Sequence, residues 1–333
     1  MIFILPLIFT FIATISAKGS YPPYGQLQVV GPHITDLNGN VVQLRGMSLY
    51  YSQWKAKFYN LQTVQALRSA WNANVVRIAM GTDRGGYLTN PEKEWTNVKN
   101  VIEASIETGI YVIVDWHIIG ANPNKDKALA FFSNISQTYG CYPHIIYEIW
   151  NEPANTTWDV VKAYANELIP AIRRYDPNNI IVVGTTTWSQ DNDIAANDPI
   201  TGYSNIAYTL HYYAGTHKQS LRDKTIAAIN KGLPIFVTEY GTAKVGGGVN
   251  GTVYPNESNT WWAFDDKYQL SYVNWHLSDV DEPAAALLPN TAASQVGDPA
   301  YWRSSGILVN QKYQKTDQGL GKPLVPFPLS TCV

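Results

Sequence analysis

The chain has 333 residues, 45% of them hydrophobic and only 15% charged, which is material for a large core and too apolar for a disordered segment. A formal net charge of −2 removes any electrostatic reason to expect nucleic acid or an anionic membrane surface as partner. Two cysteines exclude a disulfide scaffold, while 11 Trp and 22 Tyr exceed what a core needs in polar-tipped rings.

The first predicted element is residues 1–17. The run is apolar from Ile2 to Ile15 and ends in small residues, Ser16 and Ala17, before Lys18. It has the form of a cleaved signal peptide, although it lacks a basic start, and it is shorter than the roughly 20 residues of a spanning helix. A membrane anchor is the rival reading. Secretion is the expectation, with residues 18–333 forming one domain. In an oxidising compartment Cys141 and Cys332 either pair or stay as separate thiols. Four Asn-x-Ser/Thr sequons, at Asn134, Asn155, Asn250 and Asn256, matter only in a glycosylating host.

In "ITDLNGNVVQL" an Asn38-Gly39 turn lies between apolar runs and predicts a hairpin that floors whatever follows. Eight apolar, β-branched runs come next: "VVQLRGMSL" (41–49), "VVRIAM" (75–80), "YVIVDWH" (111–117), "IIYEIWN" (145–151), "IIVVGT" (180–185), "IAYTLHYY" (206–213), "PIFVTEY" (234–240) and "SYVNWHLS" (271–278). Starts at 75, 111, 145, 180, 206, 234 and 271 are 26 to 37 residues apart, the length of one βα unit. The stretches between them, among them "WTNVKNVIEASIETG", "KALAFFSNISQTYG" and "VVKAYANELIPAIRRYD", carry apolar residues at three- and four-residue spacing, and these first two end in a Gly suited to a helix C-cap.

Continuous rather than alternating apolar strands imply burial on both faces, as in a parallel sheet. Eight such units predict an α/β fold, a (β/α)₈ TIM barrel with a small N-terminal β-hairpin. An open doubly wound sheet is the alternative, but no glycine-rich dinucleotide loop follows the first strand. "GGGVNG" (246–251) is a loop after the seventh strand, on the side where barrel active sites lie.

Polar residues cluster at the ends of these runs: Arg77, His117, Asn151 with Glu152, His211 with Tyr213, and Glu239, with Trp275 inside the eighth. A single strand histidine is ordinarily a hydrogen-bonded core residue; this set spans six strands at one end. Two carboxylates without metal ligands suit glycosidic bond cleavage, one acid giving a proton and the other acting on the anomeric carbon. Asn151 is placed for a sugar hydroxyl such as the 2-OH, and Arg77 and Tyr213 for keeping Glu239 ionised. Glu148 shares a face with Glu152 but lies deeper, where a buried Arg is its expected partner. Helix-start carboxylates are the bland explanation of Glu152 and Glu239. No HExxH spacing, calcium loop or Gly-x-Ser-x-Gly elbow is present, so neither metal nor cofactor is expected.

The blocks "LRGMS", "VVRIAM", "VIVDWH", "YEIWNEP", "GTTTWSQD", "LHYYAGTH", "FVTEYGT" and "SYVNWHLSD" resemble, in order, those of glycoside hydrolase family 5. They are most similar to its bacterial-type endo-β-1,4-glucanase (cellulase) branch, found also in plant-parasitic nematodes and some beetles. The resemblance implies a retaining mechanism with Glu152 as acid/base and Glu239 as nucleophile, supported by Arg77, His117, Asn151, His211 and Tyr213. It implies Trp275 beneath the cleaved sugar, and Trp54 and Trp188 stacked on neighbouring sugars, with a β-glucan polysaccharide as the partner of a monomeric chain. Tyr50 stands where relatives often carry His, and Val280 where they often carry Lys, so contacts on the glycone side differ here. Stacking accounts for the aromatic excess, since glucan sugars present flat apolar faces. Trp71, Trp95 and Trp158, in helical segments, read as core; Trp261 and Trp262 fit either role.

Overall fold

A computed structural model describes residues 19–248 and 251–328. The predicted leader, Asn250 and Cys332 lie outside the described residues, and the Cys141–Cys332 pairing with them.

Two short strands, β1 (Leu27–Val30) and β2 (His33–Asp36), form an antiparallel hairpin that turns at Gly31 and Pro32. The hairpin therefore exists one strand earlier than the Asn38-Gly39 signal places it. That dipeptide makes the following turn, and beyond it only Val41 bridges back, to Thr35. Leu27 and Ile34 pack against Val75, Tyr111, Ile146 and Phe236, so the hairpin does plug the N-terminal end of the sheet.

The strands β3 (Arg45–Leu49), β4 (Val75–Gly81), β5 (Tyr111–His117), β7 (Ile145–Glu148), β9 (Ile181–Val183), β10 (Ile206–Tyr213), β11 (Ile235–Gly241) and β12 (Ser271–Leu277) follow one another round a closed barrel, with β12 pairing back onto β3. Every pairing is parallel. Every residue of β3, β4, β5, β7, β9, β11 and β12 is buried, as the unbroken apolar runs require of strands covered on both faces.

The helices cover the outside. Pro91–Thr108 shows how local chemistry sets its limits: Pro at the first turn, Glu92 and Glu94 beside the N-terminal dipole, and Gly109 at φ 70° closing the C-terminus. Helix Lys125–Tyr139 also stops at a glycine, but Gly140 keeps right-handed geometry (φ −63°) and its closure does not use glycine's freedom. Trp71, Trp158, Trp261 and Trp262 are buried, and Trp95 is packed against the core. Trp261 stacks on Tyr212 at 3.9 Å and 8°, which assigns that pair to packing. No helix among the described residues is long and apolar enough to cross a membrane.

Candidate active site

Two departures from regular pairing create the site. Regular pairing of the fourth barrel strand ends at Glu148; Ile149 N–H and Asn151 N–H still bond Val182 C=O (3.1 Å) and Trp116 C=O (3.2 Å), and the chain pairs again as β8 (Glu152–Pro153) with β6 (Ile119–Gly120). Glu152 N–H bonds Ile118 C=O (3.1 Å) and Ala154 N–H bonds Gly120 C=O (3.2 Å), so Pro153, which has no N–H, occupies the position that needs none. The two-residue ladder fixes where Glu152 points. On the other side, register shifts fall between Thr209 and His211, between Val237 and Tyr240, and between Trp275 and Leu277. Such irregularities re-aim side chains, and here they flank His211, Glu239 and Trp275.

Glu152 and Glu239 face each other. One oxygen of each carboxyl and one ring nitrogen of His211 lie within 4.8 Å of one another. Below them is Arg77, fully buried and in the middle of β4 rather than at its end, which corrects its reading as a strand-end group. Arg77 grips Glu148 through Nε–Oε2 (2.7 Å) and Nη2–Oε1 (3.2 Å). It also reaches Glu239 Oε2 (3.1 Å), Asn151 Oδ1 (2.6 Å) and Asp115 Oδ2 (2.9 Å). Glu148 thus has the buried arginine partner expected of it. One guanidinium ties three carboxylates and an amide into one rigid unit.

His211 joins the two sides. Its Nδ1–H donates to Glu152 (3.0 Å) and its Nε2–H to Thr238 Oγ1 (3.1 Å), whose hydroxyl donates to Glu148 (2.7 Å). Burial opposes a charge on His211, but Glu239, Glu148 and Glu152 outweigh it and push its pKa up to about 9. A cation with both ring nitrogens engaged offers no lone pair, so this trio is a poor metal site despite its spacing. His117 Nδ1 meets Asp115 at 2.6 Å, and burial holds His117 neutral with a pKa of about 3.

The two glutamates are driven apart. Burial raises the Glu152 carboxyl above its ordinary range, and the Glu239 charge pushes the same way against the His211 bond. Burial also works against ionised Glu239. There the charges of His211 and Arg77 and the Tyr213 hydroxyl, which donates at 2.5 Å, win and hold it below the ordinary range. A neutral acid opposite a fixed anion is the division of labour that two-carboxyl chemistry requires.

Above the pair runs a groove of about 640 Å³. Of the residues singled out in the sequence, His117, Asn151, Glu152, His211, Tyr213, Glu239, Trp275, Trp188 and Tyr50 line it. Arg77 acts from underneath. Trp54 lies beyond the lining, 44% exposed, its ring 4.7 Å from that of Tyr51. Trp275 stacks on His117 at 5.2 Å and 6°. Buried Asn151 Nδ2 has no partner among the described residues and is free to donate into the groove. Tyr51 escaped sequence reading although its ring wedges edge-on against both His117 (4.4 Å) and Trp275 (5.6 Å). Asp115 escaped too, yet it shares a strand face with His117 at period two and could have been found that way. Thr238 carried no signal beyond standing next to Glu239.

A closed (β/α)₈ barrel with two opposed glutamates in a groove at the C-terminal ends of its strands belongs to the glycoside-hydrolase class of barrels. The family model for cellulase (glycosyl hydrolase family 5) matches residues 35–281, and the chain belongs to that family. It is 47% identical over 292 residues to an endoglucanase of Clostridium saccharobutylicum, covering 86% of this chain and 64% of that protein. The chain thus spans less than two thirds of that relative's length. A solved structure from Cytophaga hutchinsonii superposes with a TM-score of 0.85 at 45% identity, covering 87% of this chain and 95% of that one. The catalytic domain of Thermobifida fusca endoglucanase Cel5A, solved in complex with cellotetraose, gives 0.82 at 34% identity, over 88% and 98% of the two chains.

Proposed function

We propose that this chain is a secreted, retaining endo-β-1,4-glucanase that cuts internal bonds of cellulose and related soluble β-glucans, acting as a monomer after loss of residues 1–17. The observation that carries it is the Glu152–Glu239 approach to within 4.8 Å. Double displacement needs carboxyls about 5–5.5 Å apart, whereas inversion needs about 6.5–9.5 Å to seat a water between them.

In the first step a Glu239 oxygen bonds to the anomeric carbon while Glu152 gives its proton to the glycosidic oxygen, and the leaving chain departs as an alcohol. Bonding neutralises Glu239. The negative charge that helped to raise Glu152 is then gone, its pKa falls, and it suits the role of base. Glu152 takes a proton from water, the oxygen attacks the anomeric carbon, and Glu239 is released as a carboxylate. The Asn151 amide donates to the sugar's 2-OH, and Trp275 carries the apolar face of the sugar being cleaved.

Defined cello-oligosaccharides test this directly. Product chain lengths report endo character, and proton NMR of the first product is expected to show the β-anomer; an α-anomer would remove the nucleophile role of Glu239. Reducing-end release from a panel of cellulose, mannan, xyloglucan and mixed-linkage glucan is expected to favour the β-1,4-glucans. A clear preference for mannan would leave the machinery in place and change its substrate.

Trp275→Ala is expected to lower kcat/KM by roughly 10²-fold, combining lost stacking with lost orientation of the reacting sugar. Its melting temperature should fall as well, because the indole is only 7% exposed and packs on His117, Tyr50 and Tyr51, so activity is compared where the variant is fully folded. A collapsed melting transition with specific activity intact would make Trp275 a core residue instead.

A further inference from the structure

β11 carries one residue more than either of its neighbours. Phe236 to Glu239 runs against Thr209 to His211 of β10, and Val237 to Tyr240 runs against Tyr272 to Asn274 of β12. Consecutive residues of a regular strand point to opposite faces, and a bulge lifts that constraint. Here Thr238 and Glu239, adjacent in sequence, both reach groups inside the barrel: Thr238 meets Glu148 and His211, and Glu239 meets Arg77. The bulge thus sets a hydroxyl beside the nucleophile.

Thr238 is fully buried and has one hydrogen to give. Glu148, ionised in the grip of Arg77, can only accept, so that hydrogen goes to Glu148 Oε1 (2.7 Å). Thr238 Oγ1 then turns lone pairs toward His211 Nε2 (3.1 Å), which must carry a proton to bond it. Glu148 Oε1, 3.6 Å from Nε2, favours the same proton. The other ring nitrogen, Nδ1, faces Glu152 Oε1 at 3.0 Å. Glu239 on β11, Arg77 on β4, Asp115 and His117 on β5, and His217 beyond β10 complete the titratable and charged surroundings of the pair. Among the described residues none of these bonds either ring nitrogen.

We infer that Thr238 is a positioning residue that locks the tautomer of His211, holding a proton on Nε2 so that only Nδ1 exchanges protons with Glu152. The inference rests on Glu152 being the acid of the proposed reaction. While one proton remains between Nδ1 and Oε1, Glu152 can hold it and give it to the glycosidic oxygen. Losing that last proton is uphill in the native protein, because ionised Glu152 then faces the bare lone pair of Nδ1. Valine keeps the shape of threonine and removes the acceptor. In Thr238→Val neutral His211 can carry its proton on Nδ1 instead and donate to ionised Glu152. The last proton therefore leaves the pair at lower pH.

Long-range nitrogen–proton NMR spectra of histidine-labelled protein read the tautomer, with the His211 signals assigned by their absence in His211→Gln. Native Nε2 is expected to stay protonated throughout the titration while Nδ1 alone changes. In Thr238→Val, Nε2 is expected to lose its proton as pH rises, and Thr238→Ser should restore the native pattern. The alkaline limb of kcat/KM on cellopentaose is expected to move down by about one pH unit in Thr238→Val, the worth of one hydrogen bond, and to return in Thr238→Ser. Loss of packing alone slows the reaction at every pH and moves neither readout. A native Nε2 that gives up its proton overturns the lock whether or not a variant folds. A folded Thr238→Val with the native spectrum or an unshifted limb overturns it too. A wild type inert on cello-oligosaccharides sinks the glucanase reading, and the spectra still decide the lock.

Discussion

Glu239→Gln is expected to lower kcat on cello-oligosaccharides by at least about 10³-fold, a loss of the size seen when a covalent nucleophile is removed, with oligosaccharide binding retained. The amide is nearly isosteric, so the groove keeps its shape. Glu239 now accepts from two donors, Tyr213 Oη (2.5 Å) and Arg77 Nη1 (3.1 Å). A glutamine has one acceptor oxygen. Arg77 can only donate, so the oxygen must face it, and the amide N–H then turns to Tyr213, whose hydroxyl can rotate to accept. The variant therefore keeps its neighbours satisfied and loses only the anion. Single-turnover kinetics beside calorimetric titration with cellotetraose would show chemistry gone and affinity kept. Near-normal turnover would end the nucleophile assignment.

The substitution also removes the charge that helps to raise Glu152. In the variant Glu152 should ionise at lower pH than in the native protein. Any residual activity that needs its proton should then fall away earlier as pH rises.

The barrel was readable because its physics is written in local periods. Apolar runs at one-unit spacing say buried parallel strands, and three- and four-residue spacing between them says helix. Glu152, Glu239, His211, His117 and Tyr213 were readable because a charged or polar group at the end of such a run has no packing reason to be there. Arg77 is legible as polar but not as a strand-end group: it stands third in the run "VVRIAM", inside β4, which carries the guanidinium deep in the barrel. The hairpin was displaced for a related reason. Asn38-Gly39 does make a turn, but which flanking strand pairs is settled by Leu27 and Ile34 reaching the barrel floor, a long-range contact.

Other features left no local trace. The register shifts beside His211, Glu239 and Trp275 arise from how three strands fit a closed cylinder, and no residue type announces them. Thr187, Trp188 and Ser189 take left-handed backbone geometry although none is a glycine or asparagine, the residues that ordinarily mark it. Tyr51 reads as the second half of a tyrosine pair until its ring is seen edge-on against the stacked His117 and Trp275.

Arg77→Met is expected to be the most destabilising single change near the site, at about 3–5 kcal/mol, the usual cost of stripping one partner from a buried ion network. Methionine fills much of the volume, so the loss is electrostatic: Asp115, Glu148 and Glu239 are left buried without their shared cation. The pH dependence identifies the cause. Burial alone would raise the Glu148 carboxyl, but the Arg77 charge, with His211 and the hydrogen bonds, depresses it to about 2. A folded pKa below the unfolded one gives the native protein stability that is present above about pH 4.5 and lost as pH falls toward 2. Without Arg77 the sign reverses. Burial dominates, the folded pKa rises above the unfolded value, and protonation favours the folded variant. The gap between native and variant stability in urea should therefore be widest near pH 7 and narrow steadily below about pH 5, as the buried carboxylates accept protons. A gap that stays constant between pH 7 and pH 4 would mean that the arginine contributes through packing rather than through its charge.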